Sequence, residues 1–352
     1  MTRYGVDRAG LTALLAGEPR YRVDQVWQGL YERLARPEEM TNLPRALRAR
    51  LVAELPEALT PVTESVSDRG DTIKFLWALS GDARVETVLM LYPDRATVCV
   101  SSQAGCAMGC GFCATGQAGF TRHLTTGEIV EQVVRAARRA RDGGRRVSNV
   151  VFMGMGEPLA NEAAVWGAVE RLHGDLGLSA RHITISTVGI VPGIRRLAER
   201  GLPVTLAVSL HAANDELRGE LVPINRRYDL DTLIGACAEF LAVNGRRLSF
   251  EWALIDGVND RPSDAVELAA LCRRLRPAAH VNLIPLNPTP GWPTTGTPKQ
   301  RVAEFRDRLE SLGVNATVRR NRGTDIDAAC GQLAAATPVG ISSPRRGRTD
   351  TG

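Results

Sequence analysis

The sequence predicts an α/β protein, a partial parallel barrel preceded by a small helical segment. Three observations predict it: apolar residues at helical spacing before about residue 58, strand-like segments from about 70, and a regular strand-helix alternation from 96 onward. In the first stretch, Leu11, Leu14 and Leu15, then Val23, Val26, Trp27, Leu30 and Leu34, recur at helical intervals. Thr41, Asn42, Leu43 and Pro44 offer a cap and an early-turn proline for a further helix through Leu47 and Leu51.

The period then changes. Residues 72 to 79, 84 to 91 and 96 to 101 read as strands, with Ser80-Gly81-Asp82 and Pro93-Asp94 as turn signals. Beyond them, helices are expected near 126 to 141, 162 to 173, 191 to 200, 229 to 243, 262 to 275 and 298 to 311. They alternate with strands at 148 to 153, 182 to 187, 204 to 210, 248 to 255, 280 to 286 and 314 to 319. About six such units suit an incomplete barrel, whose reactive groups gather at the C-terminal ends of its strands. The segment 337 to 352, rich in Pro, Gly, Ser and Arg, reads as a disordered tail.

Composition narrows the function classes. Over 352 residues, 44% are hydrophobic and 24% charged, the balance of a globular protein rather than a disordered or membrane one. The opening residues lack the apolar run of a signal peptide, and no stretch approaches the roughly 20 apolar residues of a bilayer span, so a cytoplasmic protein without a membrane partner is expected. The net charge of +5 rests almost wholly on arginine, with lysine only at 74 and 299, a skew that fits base composition as well as nucleic-acid binding. Arg20, Arg22, Arg33, Arg36, Arg45, Arg48 and Arg50 leave the helical segment open to two readings, an RNA-holding module or a solvated arginine face. Seven cysteines with no export signal favour metal or thiol chemistry over a disulfide framework.

Three of those cysteines, Cys106, Cys110 and Cys113, share a glycine-rich loop directly after a predicted strand. Thiolates are the usual ligands of iron-sulfur clusters, and three of them leave one iron of a four-iron cluster open to a substrate. A zinc site completed by Cys99 is the competing reading. Downstream, Gly154-Met155-Gly156-Glu157-Pro158 follows an apolar strand; it is either a ligand-binding loop with a carboxylate or a tight strand-to-helix turn.

CxxxCxxC on this loop resembles the signature of the radical S-adenosylmethionine (SAM) superfamily. The longer string from Ser101 to Gly116 resembles the dual-specificity 23S ribosomal RNA and transfer RNA adenine C2-methyltransferases, and the likeness runs from the helical segment to about Leu333. The resemblance implies a partial (βα)6 radical SAM barrel with an N-terminal helical domain. Its expected divisions are 1–65 helical and RNA-binding, 66–98 a β-rich extension, 99–333 the catalytic core and 334–352 the tail. It implies one 4Fe-4S cluster on Cys106, Cys110 and Cys113, and SAM held by Gly156, Glu157, Ser186, Ser209, Leu210, His211 and Asn287. Read singly, Ser186 could only cap a turn, and His211 could be a structural histidine.

The resemblance also implies the chemistry. Adenine C2 lies between two ring nitrogens and is too electron-poor to attack the SAM methyl, so a one-step polar transfer is excluded. Cys330 matches the family's methyl-carrying thiol, which takes a methyl from one SAM by displacement. A 5'-deoxyadenosyl radical from a second SAM then activates that methyl for addition to C2, and Cys99, matching the second catalytic cysteine, releases the product by attacking the Cys330 sulfur, leaving a disulfide bond. Glu86 matches the family's proton acceptor, whereas its strand alone suggests a solvated carboxylate. The implied partners are 23S rRNA, tRNA and an electron donor such as flavodoxin, and a monomer is expected. Two alternatives remain at this point: a radical SAM methyltransferase directed at C8 of adenine, and a noncatalytic RNA-binding protein with structural zinc. Cys237 and Cys272, among Ala and Leu on predicted helices, read as core. Phe112, Phe120 and Trp292 receive no role.

Overall fold

The computed structural model describes residues 1–319 apart from 288, 290, 291, 293 and 294. Three helices open the chain, α1 (Arg8–Leu14), α2 (Tyr21–Tyr31) and α3 (Arg45–Glu54). Pro44 stands immediately before α3, where its fixed φ and missing N–H cost the helix nothing. Trp27, Leu30, Tyr31, Leu47 and Leu51 are buried in the same continuous core as the barrel. Polar contacts tie the two together: Trp27 Nε1 donates to Asp175 at 2.9 Å, and Arg138 Nε donates to the Leu34 carbonyl at 2.6 Å. Several arginines of this segment serve the chain itself, Arg22 on the Asn42 carbonyl and Arg48 on the Glu38 carbonyl.

Strands β1 (Thr60–Ser67), β2 (Thr72–Ala78) and β3 (Arg84–Leu91) pair antiparallel and join β4 (Ala96–Cys99). β1 was not expected from the sequence. Six of its eight residues are exposed, so it carries little apolar alternation and is defined by its pairing with β2. After β4 comes a small hairpin, β5 (Gln103–Gly105) with β6 (Phe120–His123), which holds the cysteine loop and the short helix α4 (Ala114–Gln117) between its arms.

The barrel continues as α5 (Thr126–Asp142), β7 (Val147–Phe152), α6 (Glu162–Gly174), β8 (Ile183–Thr187), α7 (Val191–Ala198), β9 (Thr205–Ser209), α8 (Asp215–Leu221), α9 (Leu230–Asn244), β10 (Ser249–Leu254), α10 (Pro262–Arg273), β11 (His280–Pro285), α11 (Lys299–Ser311) and β12 (Ala316–Val318). The ten-stranded sheet runs β1-β2-β3-β4-β7-β8-β9-β10-β11-β12, parallel from β4 onward. The six expected strand-helix units are present, with β12 as a further parallel strand. The α/β architecture with its partial parallel barrel is therefore the observed one. Helix α5 shows why the local signals worked: Thr125 and Glu128 form a reciprocal capping box, and Ile129, Val130, Val133, Val134, Ala137 and Ala140 bury one face.

The strands place apolar and polar residues on opposite faces. Towards the helices point Ile183 and Ile185, Leu206 and Val208, Phe250 and Trp252, Val281 and Leu283, all essentially fully buried. The alternate positions, among them Ser186, Ser209, Glu251, Asn282 and Arg319, line the cavities inside the barrel. Period-two alternation usually separates core from water, but here it separates core from an enclosed polar interior. Cys237 and Cys272 are fully buried on α9 and α10, where the sequence places them in the core. No helix among the described residues is long and apolar enough to cross a membrane.

Candidate active site

Two adjoining cavities occupy the C-terminal ends of the parallel strands. The first, about 220 Å³, is lined by Cys106, Cys110 and Cys113, by Gly156 and Glu157, and by Ser186, Ser209 and His211. The second, about 800 Å³, is lined by Cys99, Asn287, Val88, Met90 and Tyr92 among others. Phe112, Cys113, Met153, His211, Ile284 and Arg319 belong to both walls.

The cysteine loop leaves β5 after Gly105. Its tightest point is Gly111, where a Cβ would lie 2.0 Å from the Trp292 ring. Burial pushes the Cys106 thiol up to about 11, with Glu157 and Cys113 adding repulsion, and it pushes Cys110 up as well, with Cys113 and Cys106 next. Buried thiols such as these two become stable thiolates only beside concentrated positive charge, which iron supplies. Among the described residues no group of three or more His, Cys, Asp or Glu is arranged, as the side chains stand, to hold a metal ion. The donor set, sulfur only and facing one cavity, nevertheless fits a cluster with an open position. Cys99 does not line that first cavity, so a four-thiol zinc site there lacks its fourth ligand.

Gly156 adopts φ +99°, and a Cβ on it would stand 2.5 Å from Gln103 Cβ and 2.7 Å from Gln103 N. That close approach lets Gln103 Oε1 accept from the Glu157 N–H at 2.8 Å, which fixes the loop to β5. Glu157 is buried; its Oε1 accepts from Leu159 N–H at 3.0 Å and its Oε2 from Val188 N–H at 2.8 Å. Burial outweighs these donors and raises its carboxyl to about 7. Such a group is poised to take a hydrogen-bond donor from a ligand.

His211 sits at φ +60°, a conformation that side chains bearing a Cβ rarely adopt. Its Nδ1 accepts from Ala253 N–H at 2.9 Å, which leaves the proton on Nε2, and its ring meets Phe112 edge-on at 4.8 Å. Burial and then the Arg218 charge pull its pKa down to about 3, so it is neutral at physiological pH. Leu210 does not line either cavity. Its side chain is fully buried, and it acts through its backbone, the N–H donating to the Glu251 carbonyl and the carbonyl accepting from Arg218 Nε. Arg218, fully buried, also donates to the Asn225 side chain at 2.7 Å and the Val188 carbonyl at 2.7 Å. One guanidinium thus ties together the loops after β8 and β9.

Asn287 lines the second cavity rather than the first. Cys99 and Val88 are register partners on β4 and β3, with Glu86 two residues along the same face of β3. Glu86 is buried and paired with the Lys74 ammonium at 2.9 Å, which corrects the solvated reading suggested by its strand alone. Cys330 falls outside the described residues, as does the tail, and so does the expected Cys99–Cys330 disulfide. Among the described cysteines none bonds to another. Sequence reasoning missed Arg218 and Glu251. Glu251 is a charge inside an apolar strand, which was an available signal, whereas Arg218 stands among Asp215, Glu216 and Glu220 on α8 and had none.

An open parallel barrel with three thiols on the loop after its first parallel strand, and a GMGEP turn after the second, defines a radical SAM protein. The model of the radical SAM superfamily matches residues 100–269. A probable dual-specificity RNA methyltransferase RlmN from Parafrankia sp. (strain EAN1pec) is 55% identical over 94% of this chain and 90% of its own. A second from Chloroflexus aurantiacus is 50% identical over 97% and 94%. The crystal structure of a radical SAM methyltransferase from Sphaerobacter thermophilus superposes with TM-score 0.90 at 52% identity, covering 94% of this chain and 98% of that one. The chain belongs to the dual-specificity RNA methyltransferase family of radical SAM proteins.

Proposed function

We propose that this protein methylates C2 of adenine in 23S rRNA and in tRNA, in the cytoplasm, through a methylated cysteine. The observation that carries this reading is the pair of adjoining cavities. One gathers the three-thiol loop with Gly156, Glu157, Ser186, Ser209 and His211, and the other gathers Cys99 and Asn287, with Cys113 and His211 in the wall between them. A small cavity with thiols suits a cluster and SAM, and the larger one suits a splayed-out nucleobase.

Cys106, Cys110 and Cys113 hold the cluster. Glu157 would accept from the SAM amino group, Gly156 would leave room for it, and Ser186, Ser209 and neutral His211 would bind the remainder, with Leu210 holding its neighbours in place through its backbone and Asn287 contributing from the second cavity. Bound there, cluster and SAM supply a methyl group and a 5'-deoxyadenosyl radical. The chain's own part is to present a thiolate, Cys330, as the methyl acceptor, since sulfur displaces a methyl from a sulfonium readily where C2 cannot. After the adduct has lost one electron, Glu86 takes the C2 proton; Cys99 then attacks the Cys330 sulfur, breaking its bond to the methylene carbon, which takes up a proton as the product methyl, and the disulfide left behind is reduced by an external electron donor.

The test is anaerobic turnover of the cluster-loaded protein with SAM labelled in its methyl group. Label on Cys330 before RNA is added, followed by 2-methyladenosine in the digested RNA, is the expected result. A digest containing 8-methyladenosine instead, or a Cys330→Ala variant that keeps the cluster and full methylation, overturns the reading. Zinc in place of iron after anaerobic purification overturns it altogether.

A further inference from the structure

Lys74 is fully buried on β2, its Nζ 2.9 Å from Glu86 Oε2 on β3, and the middle of both strands is buried on both faces. In this chain the residue is unusual: lysine occurs only at 74 and 299, and the other 42 basic residues are arginine. The other buried cations among the described residues, Arg3 and Arg218, are arginines. Buried ion pairs contribute little to stability, because desolvating two charges offsets their attraction, so an apolar pair would hold these strands as well. The pair therefore points to chemistry rather than to architecture.

It stands beside a reacting thiol. In the antiparallel register Lys74 is opposite Val88 and Val88 is opposite Cys99, so the three share one face in a row across β2, β3 and β4. Two strand spacings put the Lys74 and Cys99 Cα atoms about 10 Å apart. Thr72, Val88, Met90 and Cys99 line the second cavity, and Lys74 and Glu86 follow Thr72 and Val88 on the same strand faces.

A carboxylate taken out of water without a countercharge takes up a proton instead. A protonated Glu86 could not accept the one on C2, so a countercharge is a condition of the proton-acceptor role. An arginine would fork across both carboxylate oxygens, whereas a lysine ammonium is a point charge that can hold one oxygen and leave the other to a proton. We infer that Lys74 is the positioning residue for Glu86, holding it ionised and in place to take the C2 proton, an inference that rests on the Glu86 reading above. The step moves one proton and no electron. The C2–H bond of the oxidised adduct breaks, its electron pair stays in the ring, and the proton passes to a Glu86 oxygen.

The test is single turnover of cluster-loaded wild type, Lys74→Gln and Glu86→Gln, with ordinary RNA and with RNA deuterated at adenine C2. Lys74→Gln keeps a donor for Oε2 but carries no charge. It is expected to retain wild-type iron content and methyl transfer to Cys330, and to accumulate the covalent protein–RNA adduct, as Glu86→Gln does. Product is expected to form at least about a hundredfold more slowly, the lower range of what a positioned base contributes. Its adduct should decay more slowly still when C2 carries deuterium, a readout that a merely structural defect does not move.

Wild-type product formation in Lys74→Gln overturns the inference, as does slow turnover with neither adduct nor isotope effect. The state of Glu86 is also read without any Lys74 variant: the infrared difference between wild type and Glu86→Gln is expected to show an ionised carboxylate, and a protonated carboxyl there overturns the inference. If Glu86→Gln itself methylates at the wild-type rate, the proton-acceptor reading fails and takes the inference with it.

Discussion

At His211 protonation and fold stability are directly coupled. Its imidazole stays neutral in the folded protein down to about pH 3, because the ring is buried and Arg218 is nearby, whereas an unfolded histidine titrates near 6.5. The sign follows: below pH 6.5 the unfolded chain takes up a proton that the native chain refuses, so stability falls as pH falls through that value. From pH 7.5 to 5.5 the unfolded imidazole passes from about one-tenth to about nine-tenths protonated, which costs about 1.4 kcal/mol of native stability. The perturbation that isolates this cost is His211→Asn. Asparagine tolerates the left-handed backbone at 211 and can offer an oxygen to the Ala253 N–H, but it does not titrate. Urea unfolding of both cluster-loaded proteins at the two pH values gives four stabilities. Titrations elsewhere cancel between the proteins, and the space left by the smaller side chain is the same at both pH values. The wild type is expected to lose about 1.4 kcal/mol more than the variant on acidification. Equal losses would refute the neutral, acceptor Nδ1 assigned here.

Much of the fold was legible because its signals are local. The capping box at Thr125 and Glu128, Pro44 before α3 and the alternation of strands and helices each depend on neighbours in sequence. β1 was not legible, since its exposed residues record no burial and its partner is supplied by the fold. For the site, the thiols and GMGEP stand out as strings, and both line the first cavity. Glu86 reads wrongly from its own strand, because the ammonium that accompanies it is on the neighbouring strand at Lys74. Arg218 and Glu251 were missed for a related reason. Glu251 is the one charge on an apolar strand and Arg218 is one of four charges on α8, and only the assembled barrel shows that both side chains are buried rather than solvated.

Two further perturbations test how the site is held. Gly156→Ala places a Cβ against the backbone and Cβ of Gln103 at a left-handed position, so it should cost at least about 2 kcal/mol and shift Glu157, read as a lower urea midpoint with weaker SAM binding. A variant with unchanged midpoint would show that the loop yields easily. Arg218→Met should be more damaging, because it removes the shared donor from the Val188 and Leu210 carbonyls and from the Asn225 side chain. Each acceptor is left without its donor in a buried setting at about 1–3 kcal/mol, so a loss of about 4 kcal/mol is expected even after partial relaxation. The same substitution frees the loops that carry Glu157's partner Val188 and His211, so SAM affinity should fall together with stability. Lost stability with wild-type SAM affinity would mean that Arg218 supports the barrel without organising the site, and the link drawn here between that buried guanidinium and the cofactor loops would not hold.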